Sequence, residues 1–460
     1  MTDLANVAAP TIIVPHIIKG QMVAGNAARY GTFATPALDI DTLVWPRSDP
    51  GPAFATPIAE IMDLLVATGE RIKADPSGVM GAAAETMAAA GDLDRGVVLR
   101  AYQQLPHLFG REWLEFLVEG ELGADVLDGW RQVTDPGGRS AQFRAFPPRL
   151  VHVLAGNAPG VAAISIIRGA LTKGVNLLKL PSNDLFTATA ILRTMAEVAP
   201  DHPVVRSFSA VYWKGGDETV EKYLLRPMFF DKLVAWGGEG SLRSAKKYIR
   251  PGFELVAFDP KTSISMIGRE AFASPEILAE VADAAAADSC IYDQSACTSS
   301  RFQYIEATME EAEAYCALLQ KAMGRERQTA SSGGARMPPA LREDIDSLRS
   351  LDPYYKVWGA SDGTGVVILS EDPVDFHPEA KTVNVVVVDC LEDAVRFASV
   401  ATQTVGIFPA ARKRELRDRL ASAGAQRIVT LGSALGGGVG IPHDGFFPLH
   451  RLVRWITDEC

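Results

Sequence analysis

Several features that would assign a chain to a simple class are scarce in this sequence of 460 residues. No apolar run reaches the roughly 18 residues that a membrane-spanning helix needs. Residues 1–10 have neither the basic start nor the apolar core of a signal peptide. Cysteine occurs only five times, an odd number at scattered positions, which argues against a disulfide framework. These absences predict a cytoplasmic protein with reduced thiols and no membrane span.

An excess of basic residues is also missing. Lysine and arginine number 45 against 56 aspartates and glutamates, so the formal net charge is 45 − 56 = −11. A nucleic-acid-binding protein would carry the opposite balance, and we therefore expect no nucleic-acid partner. Cys290 and Cys297 are too far apart for the C-x-x-C spacing of a zinc or dithiol site, and no metal site is predicted.

The dinucleotide fingerprint G-x-G-x-x-G is absent as well, but strand, glycine turn and helix follow one another repeatedly. A buried strand over 150–155 leads through the turn 156–160 to a helix over 161–171, and the strand 175–180 precedes a helix over 185–199. This alternation is typical of an α/β fold with doubly wound parallel sheets, which bind ligands at the carboxyl ends of their strands. The length of the chain predicts two or three domains.

One cysteine lies where a nucleophile would be expected. Residues 288–300 read Asp-Ser-Cys-Ile-Tyr-Asp-Gln-Ser-Ala-Cys-Thr-Ser-Ser and place Cys297 in a turn of small residues between an alanine-rich helix and a strand. Small neighbours leave room for a substrate, and backbone N–H groups in the turn can stabilise a thiolate or an oxyanion. A buried, unreactive cysteine is the commoner outcome for such a local pattern, and we expect Cys290 to be one. Other segments must decide the role of Cys297.

Four motifs, in this order, resemble the aldehyde dehydrogenase superfamily, and most closely its branch of LuxC-like fatty acyl-CoA reductases. They are Leu154-Ala-Gly-Asn-Ala-Pro-Gly160, Leu178-Lys-Leu-Pro-Ser-Asn-Asp184, Gln294-Ser-Ala-Cys297 and His443-Asp-Gly-Phe-Phe-Pro-Leu449. The resemblance implies an aldehyde dehydrogenase-like α/β fold with two doubly wound domains, an N-terminal helical layer and oligomerisation strands. It implies an N-terminal segment 1–130, a Rossmann-like cofactor domain 131–254, a catalytic domain 255–431 and a tail 432–460. The tail is expected to return to the cofactor domain or to a subunit interface.

The resemblance also implies roles for two residues in the chemical step. Cys297 matches the family nucleophile, and Asn157 matches the asparagine whose side-chain N–H stabilises the oxyanion formed when the thiolate attacks a carbonyl. A fixed amide dipole at the end of a strand suits that role. Taken alone, Asn157 would be assigned to an ordinary turn.

Residues for a nicotinamide cofactor follow from the same alignment. Lys179 matches the lysine that holds the cofactor ribose, and the glycines Gly237, Gly238 and Gly240 precede a helix whose N-terminus can face a pyrophosphate. Members of the family that prefer NAD often carry an acidic residue three positions after the lysine, but this chain has Ser182, followed by Asn183. A carboxylate there would repel a 2′-phosphate. We therefore expect NADPH as the cofactor, with NADH kept open by Asp184.

One departure from the family concerns the general base. Hydrolytic aldehyde dehydrogenases carry a glutamate where this sequence has Ala257, and the nearest carboxylate in that run is Glu254. Without a base to activate water, a thioester on Cys297 would persist for reduction or thiol exchange. This favours reduction of an acyl-CoA, fatty or otherwise hydrophobic, to an aldehyde. Glu254 remains a candidate base if the alignment shifts by three residues.

Two alternatives stay open at this stage. One is a hydrolytic NAD(P)-dependent aldehyde dehydrogenase, and the other is a catalytically silent binding or assembly subunit of the same fold. His443 and Asp444 belong to a family-like motif, and either a role near the active site or a hydrogen bond within the loop is compatible with the sequence. The resemblance further implies a homo-oligomer, a dimer or tetramer, with strands of the N- and C-terminal parts pairing between subunits.

Overall fold

The computed structural model describes residues 12–259, 261–436 and 440–459. Its strands, in chain order, are β1 Ile12–Ile13, β2 His16–Ile18, β3 Gln21–Val23, β4 Ala28–Tyr30, β5 Phe33–Thr35, β6 Arg131–Thr134, β7 Ser140–Phe146, β8 Arg149–Val153, β9 Val175–Lys179, β10 Phe208–Val211, β11 Lys232–Trp236, β12 Glu254–Phe258, β13 Thr262–Ile267, β14 Ser300–Glu306, β15 Lys356–Trp358, β16 Val366–Ser370, β17 Thr382–Val388, β18 Thr402–Phe408, β19 Arg427–Thr430 and β20 Arg454–Glu459.

The α-helices of the same residues, in chain order, are α1 Ile40–Leu43, α2 Ile58–Ala74, α3 Val79–Ala90, α4 Arg95–Gln104, α5 Arg111–Glu121, α6 Ala124–Asp128, α7 Gly160–Leu171, α8 Thr187–Val198, α9 Pro203–Arg206, α10 Glu218–Leu224, α11 Glu239–Lys246, α12 Pro275–Ser289, α13 Met309–Met323, α14 Pro339–Arg349, α15 Leu391–Ala394, α16 Lys413–Ala423 and α17 Pro448–Leu452. In these residues, no helix has the length and apolar character that crossing a membrane requires.

The first large sheet has the strand order β12-β11-β8-β9-β10-β2-β3. Strands β8 to β12 are parallel, and the hairpin β2–β3 adds two antiparallel strands at one edge. The apolar faces of α2, α3, α7 and α8 pack together in one core on this sheet. The predicted N-terminal helical layer is therefore confirmed, because α2 and α3 cover the helices that cross over between the parallel strands.

The second large sheet has the order β15-β16-β17-β14-β13-β18-β19 and is parallel except for β15. The inner strand β18 and the edge strands β15 and β19 were not predicted from the sequence. Strand β18 begins Thr402-Gln-Thr404, and all three polar side chains are buried. Buried polar residues hide the continuous apolar run by which a central parallel strand is recognised.

The expected boundary between residues 254 and 255 falls inside β12. Each residue of this strand, from Glu254 to Phe258, pairs in parallel with β11 of the first sheet. A cut at 254 would remove a strand from that sheet, so we propose that the division between the two sheets follows Phe258. The residues 131–146 form an antiparallel hairpin, β6–β7, and pair with the C-terminal β20 in a separate small sheet rather than in the first large one.

A buried polar pair supports the centre of the first sheet and provides a test of its packing. His152 Nε2 lies 3.0 Å from Asn176 Oδ1, and the Asn176 amide donates to Gly174 O at 2.8 Å. Helix α7 approaches this pair so closely that a Cβ on Gly169 would lie 2.4 Å from Asn176 Oδ1.

We expect Gly169→Ala to lower the free energy of unfolding by about 1–3 kcal/mol, because the added methyl group must displace a buried hydrogen-bonded amide. Urea denaturation followed by circular dichroism measures this change. Gly215→Ala is the matched control, since an added Cβ there meets no atom within 4 Å. Equal stability of the two variants would contradict the proposed close contact.

Candidate active site

A cavity of about 420 Å³ lies between the two large sheets. The first sheet contributes residues that follow the carboxyl ends of its strands, such as Asn157 after β8 and Gly237 after β11. The second sheet contributes residues at the amino ends of its strands, including Cys297 before β14 and Gln403 at the start of β18. The rule that ligands bind at carboxyl ends thus holds for the first sheet alone, and the second sheet closes the cavity from the opposite side.

The turn that carries Cys297 is held rigidly. Tyr292, Asp293 and Gln294 have positive φ values of 50°, 49° and 72°, a conformation that costs a non-glycine residue free energy. The buried Gln294 side chain bonds the backbone of Thr382 in both directions, at 2.7 and 2.9 Å. These contacts hold the turn against Thr382 of β17, so the second sheet fixes the position of the Cys297 thiol.

The Cys297 sulfur faces the cavity, and the residue is exposed there. The cavity walls nevertheless exclude much of the water that would solvate a thiolate, so burial raises the pKa of this thiol. A hydrogen bond from the Gln403 side chain and the backbone N–H groups of Cys297 and Thr298 oppose that rise, whereas the Asp444 charge adds to it. Cys290 is fully buried, as expected from its position, and burial raises its pKa to about 12. Of these two thiols, Cys297 is the one that a ligand in the cavity can reach.

Asn157 lies on the opposite wall of the same cavity. Its Nδ2 donates to Ser295 O at 3.1 Å, two residues before Cys297, and so ties the end of β8 to the nucleophile turn. An amide nitrogen carries two hydrogens, which leaves one for a ligand oxygen. The structure thus brings Asn157 and Cys297, 140 positions apart in the sequence, to one cavity.

Three of the six predicted cofactor residues line this cavity. Gly237, Gly238 and Asn183 line it, whereas Lys179, Ser182 and Gly240 are not among the lining residues. Gly238 caps the N-terminus of α11, and an added Cβ at Gly238 or at Gly240 would meet no atom within 4 Å. This open, glycine-lined helix N-terminus fits the pyrophosphate of a dinucleotide.

Two charged residues, Lys179 and Asp184, flank the segment that follows β9. The Lys179 ammonium lies over the rings of Tyr212 and Trp213, at 5.7 and 5.6 Å from the centroids, and burial lowers its pKa. Asp184 is buried, and its Oδ1 accepts from the backbone N–H and the hydroxyl of Thr187 at 3.1 and 2.7 Å. The carboxylate that kept NADH open in the sequence is therefore buried and bonded to Thr187, the first residue of α8.

The candidate base Glu254 lies far from the nucleophile. It begins β12 and pairs with Lys232 Nζ at 3.2 Å, while the cavity is reached only at Phe258, four residues further along the strand. Four residues of strand span about 13 Å. Ala257 itself brings no carboxylate, so neither position supplies a base beside Cys297.

The sequence did not indicate several polar residues of the cavity wall. They are Arg301, His377 and Gln403, whereas His443 and Asp444, which also line the cavity, belong to a motif that the sequence had singled out. Arg301 is buried and donates to Gln294 O at 2.8 Å, and burial lowers its pKa to about 10. The missed strand β18 carries Gln403, and recognising that strand would have been the only signal for it.

Buried polar atoms in this wall lack protein partners. Among the residues described, the following atoms of cavity-lining side chains are buried without a hydrogen bond: Asn157 Oδ1, Trp236 Nε1, Arg301 Nε, Gln403 Oε1 and His443 Nδ1. Burial lowers the pKa of His443 to about 4, so its imidazole is neutral at pH 7. Native structures leave few such atoms unsatisfied. Their concentration here indicates a preformed site for a polar ligand.

The chain is similar to known proteins over most of its length. The family model described as acyl-CoA reductase (LuxC) matches residues 54–455. A long-chain acyl-protein thioester reductase of Photorhabdus laumondii is 34% identical over 356 residues, which cover 75% of this chain and 70% of that protein. The protein of the same name from Vibrio harveyi is 31% identical over 353 residues, with coverage of 75% and 70%.

Solved structures show the fold. A NAD-dependent benzaldehyde dehydrogenase from Corynebacterium glutamicum superimposes with a TM-score of 0.72 at 14% identity and covers 97% of each chain. Lactaldehyde dehydrogenase from Escherichia coli gives a TM-score of 0.69 at 14% identity over 98% of this chain and 100% of its own. The predicted aldehyde dehydrogenase-like fold is thereby confirmed.

Proposed function

Since this chain belongs to the family of acyl-CoA reductases (LuxC), we propose that it reduces a hydrophobic acyl thioester to the aldehyde through an acyl group carried on Cys297. The observation that carries this proposal is the single cavity in which the exposed Cys297 and the amide of Asn157 meet. The donor is an acyl-CoA in our proposal. The relatives are named for acyl-protein thioesters, and both donors present the same reacting group.

The residues of the chain act in the following order. The Cys297 thiolate attacks the thioester carbonyl, and the carbonyl oxygen gains negative charge. The free N–H of Asn157 and the backbone N–H of Cys297 donate to this oxyanion. The thiol of the donor leaves with a proton from solvent, and the acyl group remains on the sulfur. After reduction, collapse of the thiohemiacetal releases the aldehyde and restores the thiolate.

Reduction requires a nicotinamide cofactor, and we propose NADPH. The residues that would hold it are Lys179, Ser182 and Asn183 after β9, together with Gly237, Gly238 and Gly240 at the N-terminus of α11. A bound reduced nicotinamide supplies the hydride. Inward-facing Asp184 supports NADPH over NADH, because no carboxylate of the segment 181–184 faces the place where a 2′-phosphate would lie.

A hydrolytic aldehyde dehydrogenase is the second candidate, and one observation favours it. The Asp444 carboxylate lines the cavity, where it can activate water. Its Oδ1, however, already accepts a hydrogen bond from Gln403 Nε2 at 2.8 Å, so this oxygen is engaged by the chain itself. We therefore retain thioester reduction as the main function.

An acylation experiment tests the proposal. The full chain is mixed with a long-chain acyl-CoA in the absence of cofactor, and intact mass and peptide mass spectrometry locate the adduct. We expect one acyl group on Cys297, which disappears with formation of aldehyde when NADPH is added. Failure to acylate, or faster NADP⁺ reduction with free aldehyde in the absence of coenzyme A, would favour the second candidate.

Cofactor preference provides a separate prediction. Ser182 is exposed directly after Pro181, at the position where an acidic residue would meet the 2′-phosphate. We expect Ser182→Asp to raise the KM for NADPH by about tenfold or more, because charge repulsion of about 1.4 kcal/mol gives that factor. Steady-state kinetics with NADPH and NADH measure it.

Asp184→Asn is the matched control for Ser182→Asp. It removes a charge from the same segment, but Asp184 is buried and bonds Thr187. The thermal stability is expected to fall while the NADPH/NADH ratio stays unchanged. A change of cofactor preference in the control, or none in Ser182→Asp, would place the ribose elsewhere.

Assembly into a dimer or tetramer remains our proposal, and the small sheet supports it. Trp130, Val133 and Trp455, at or on its strands β6 and β20, are 41%, 42% and 39% exposed. A partly apolar sheet with the unpaired edge β6 is suited to pairing with another chain. Light scattering coupled to size-exclusion chromatography determines the oligomeric state.

A further inference from the structure

A second cavity, of about 430 Å³, adjoins the one that contains Cys297. It is a groove between helix α11 and the two residues that directly precede β18, Val400 and Ala401, and we call it the α11 groove. Asp259 and Lys261, on the connection from β12 to β13, line both cavities. A ligand in the α11 groove can therefore extend past these two residues toward Cys297.

Lys261 places a buried ammonium group at the junction of the two cavities. Its side chain is 7% exposed, and the carboxylate that lies within 4 Å of it among the described residues is Asp259, with Oδ2 3.9 Å from Nζ. That separation is too long for a hydrogen bond. A buried charge is costly unless a close partner bonds it. The Lys261 ammonium therefore indicates a place for an anion at this junction.

Helix α11 adds further charges to the groove. Glu239, Leu242, Arg243 and Lys246 follow the spacing i, i+3, i+4 and i+7, which places them on one face of the helix. Glu239 is paired with Arg243 at 2.5 Å, so these two charges largely compensate each other. Lys246 takes part in none of the ion pairs among the described residues. Together with Lys261 and Asp259, the groove has three cations against two carboxylates and is positively charged.

The remaining walls of the groove are apolar. Leu242 is buried, whereas Val400, which faces α11 across the groove, is 77% exposed. Binding sites for small molecules combine such apolar walls with a few convergent polar groups. An apolar wall beside ammonium groups suits a nucleotide, because its base has apolar faces and its phosphates accept charge-assisted hydrogen bonds.

The strand order separates this groove from the proposed cofactor residues. The first sheet has the order β12-β11-β8-β9, and the proposed cofactor residues follow β9 and β11. A dinucleotide that extends from the N-terminus of α11 toward Lys179 runs across β8, away from β12. Asp259 and Lys261 follow β12, on the other side of β11. The α11 groove is thus free for a second nucleotide while the cofactor is bound.

We propose that the α11 groove binds the phosphorylated nucleotide of a coenzyme A thioester, with the ammonium groups of Lys246 and Lys261 on its phosphates. The pantetheine arm then passes the junction of the two cavities and presents the thioester to Cys297. This role rests on the proposed function, since it takes a coenzyme A thioester as the acyl donor. An acyl group attached to a protein side chain carries no nucleotide and gains nothing from the groove.

Binding of coenzyme A itself tests this proposal without any acyl transfer. Isothermal titration calorimetry of the full chain, under reducing conditions, measures the Kd of coenzyme A and of pantetheine, which lacks the phosphates and the nucleotide. Each titration is repeated with saturating NADP⁺. The variants are Lys246→Gln and Lys261→Met, and Lys247→Gln is the matched control, because Lys247 is an exposed neighbour that does not line the groove.

We expect the Kd of coenzyme A to rise about tenfold in Lys246→Gln and in Lys261→Met, the usual effect of losing one charge-assisted hydrogen bond. Pantetheine should bind at least about tenfold more weakly than coenzyme A to the wild type, and equally to all variants. Lys247→Gln should bind coenzyme A as the wild type does. Saturating NADP⁺ should leave the Kd of coenzyme A unchanged, because the two nucleotides occupy different sides of β11.

Displacement of coenzyme A by NADP⁺ overturns the proposal, since it places both nucleotides in one site. Equal binding of coenzyme A and pantetheine, or equal effects of Lys246→Gln and Lys247→Gln, also overturns it. Thermal unfolding establishes that each variant is folded, and the exposed Lys246 decides the outcome should Lys261→Met fail to fold.

The proposed function is judged by a separate measurement, the acylation of Cys297. A wild type that binds coenzyme A as expected but is not acylated by acyl-CoA would count against the proposed function and support the groove. Acylation by acyl-CoA with rates unchanged in both groove variants would support the function and overturn the groove.

Discussion

Cys297→Ser is expected to lower thioester reduction by about 10⁴-fold or more, because a serine hydroxyl stays protonated where a thiolate forms. The turn around residue 297 should be unaffected, since the bonds that fix it come from Gln294 and the backbone and none involves the sulfur. The reduction rate is followed as acyl-CoA-dependent NADPH oxidation, and the acyl adduct by mass spectrometry. Both signals should disappear together.

Cys390→Ser is the matched control for this experiment. Cys390 is a partly exposed thiol at the N-terminus of α15, and it does not line the cavity. Its replacement should leave turnover and acylation as in the wild type. Residual turnover of Cys297→Ser above about 1% would show that another group carries the acyl chain.

Asn157→Ala is expected to lower kcat by about 10²–10³-fold, the usual effect of removing one oxyanion donor, about 3 kcal/mol. The KM for acyl-CoA should change little, because the donated hydrogen bond strengthens only as charge develops on the carbonyl oxygen. Single-turnover acylation of Cys297, measured by quenched mass spectrometry, isolates the affected step.

The bond from Asn157 to Ser295 requires a control, since the substitution also removes this contact. Alkylation of Cys297 by iodoacetamide forms no oxyanion, so its rate should be nearly that of the wild type if the turn keeps its place. Equal losses in alkylation and acylation would assign Asn157 to holding the turn rather than to stabilising charge.

On the cofactor side of the site, the sequence predicts the charge of each residue but not the direction of each side chain. The segment 181–184 showed that Ser182 lacks a charge, but the direction of the Asp184 side chain could not be read from its neighbours in the chain. Asp184 turns inward because Thr187, the first residue of α8, offers it a backbone N–H and a hydroxyl. The sequence contains this capping pattern, but only packing of α8 against the sheet buries it.

The order of the secondary-structure elements and the positions of the turns follow from residues that are neighbours in the sequence. The order of strands, glycine turns and helices depends on residues that are neighbours in the chain, so it predicted the doubly wound sheets and the helical layer. The same holds for the positions of Asn157 and Cys297 at turns. Each of these features is written in a few consecutive residues.

Only the tertiary structure decided which distant groups meet. The contact of Gln403 with Asp444 joins a buried strand to the tail, the whole of β12 as far as Phe258 pairs with the first sheet, and the second sheet closes the cavity with its amino ends. These outcomes depend on the register and packing of segments tens to hundreds of residues apart. The sequence of polar and apolar residues does not show which distant segments pair. A glutamine is the same letter whether it folds into a loop or into the wall of a cavity.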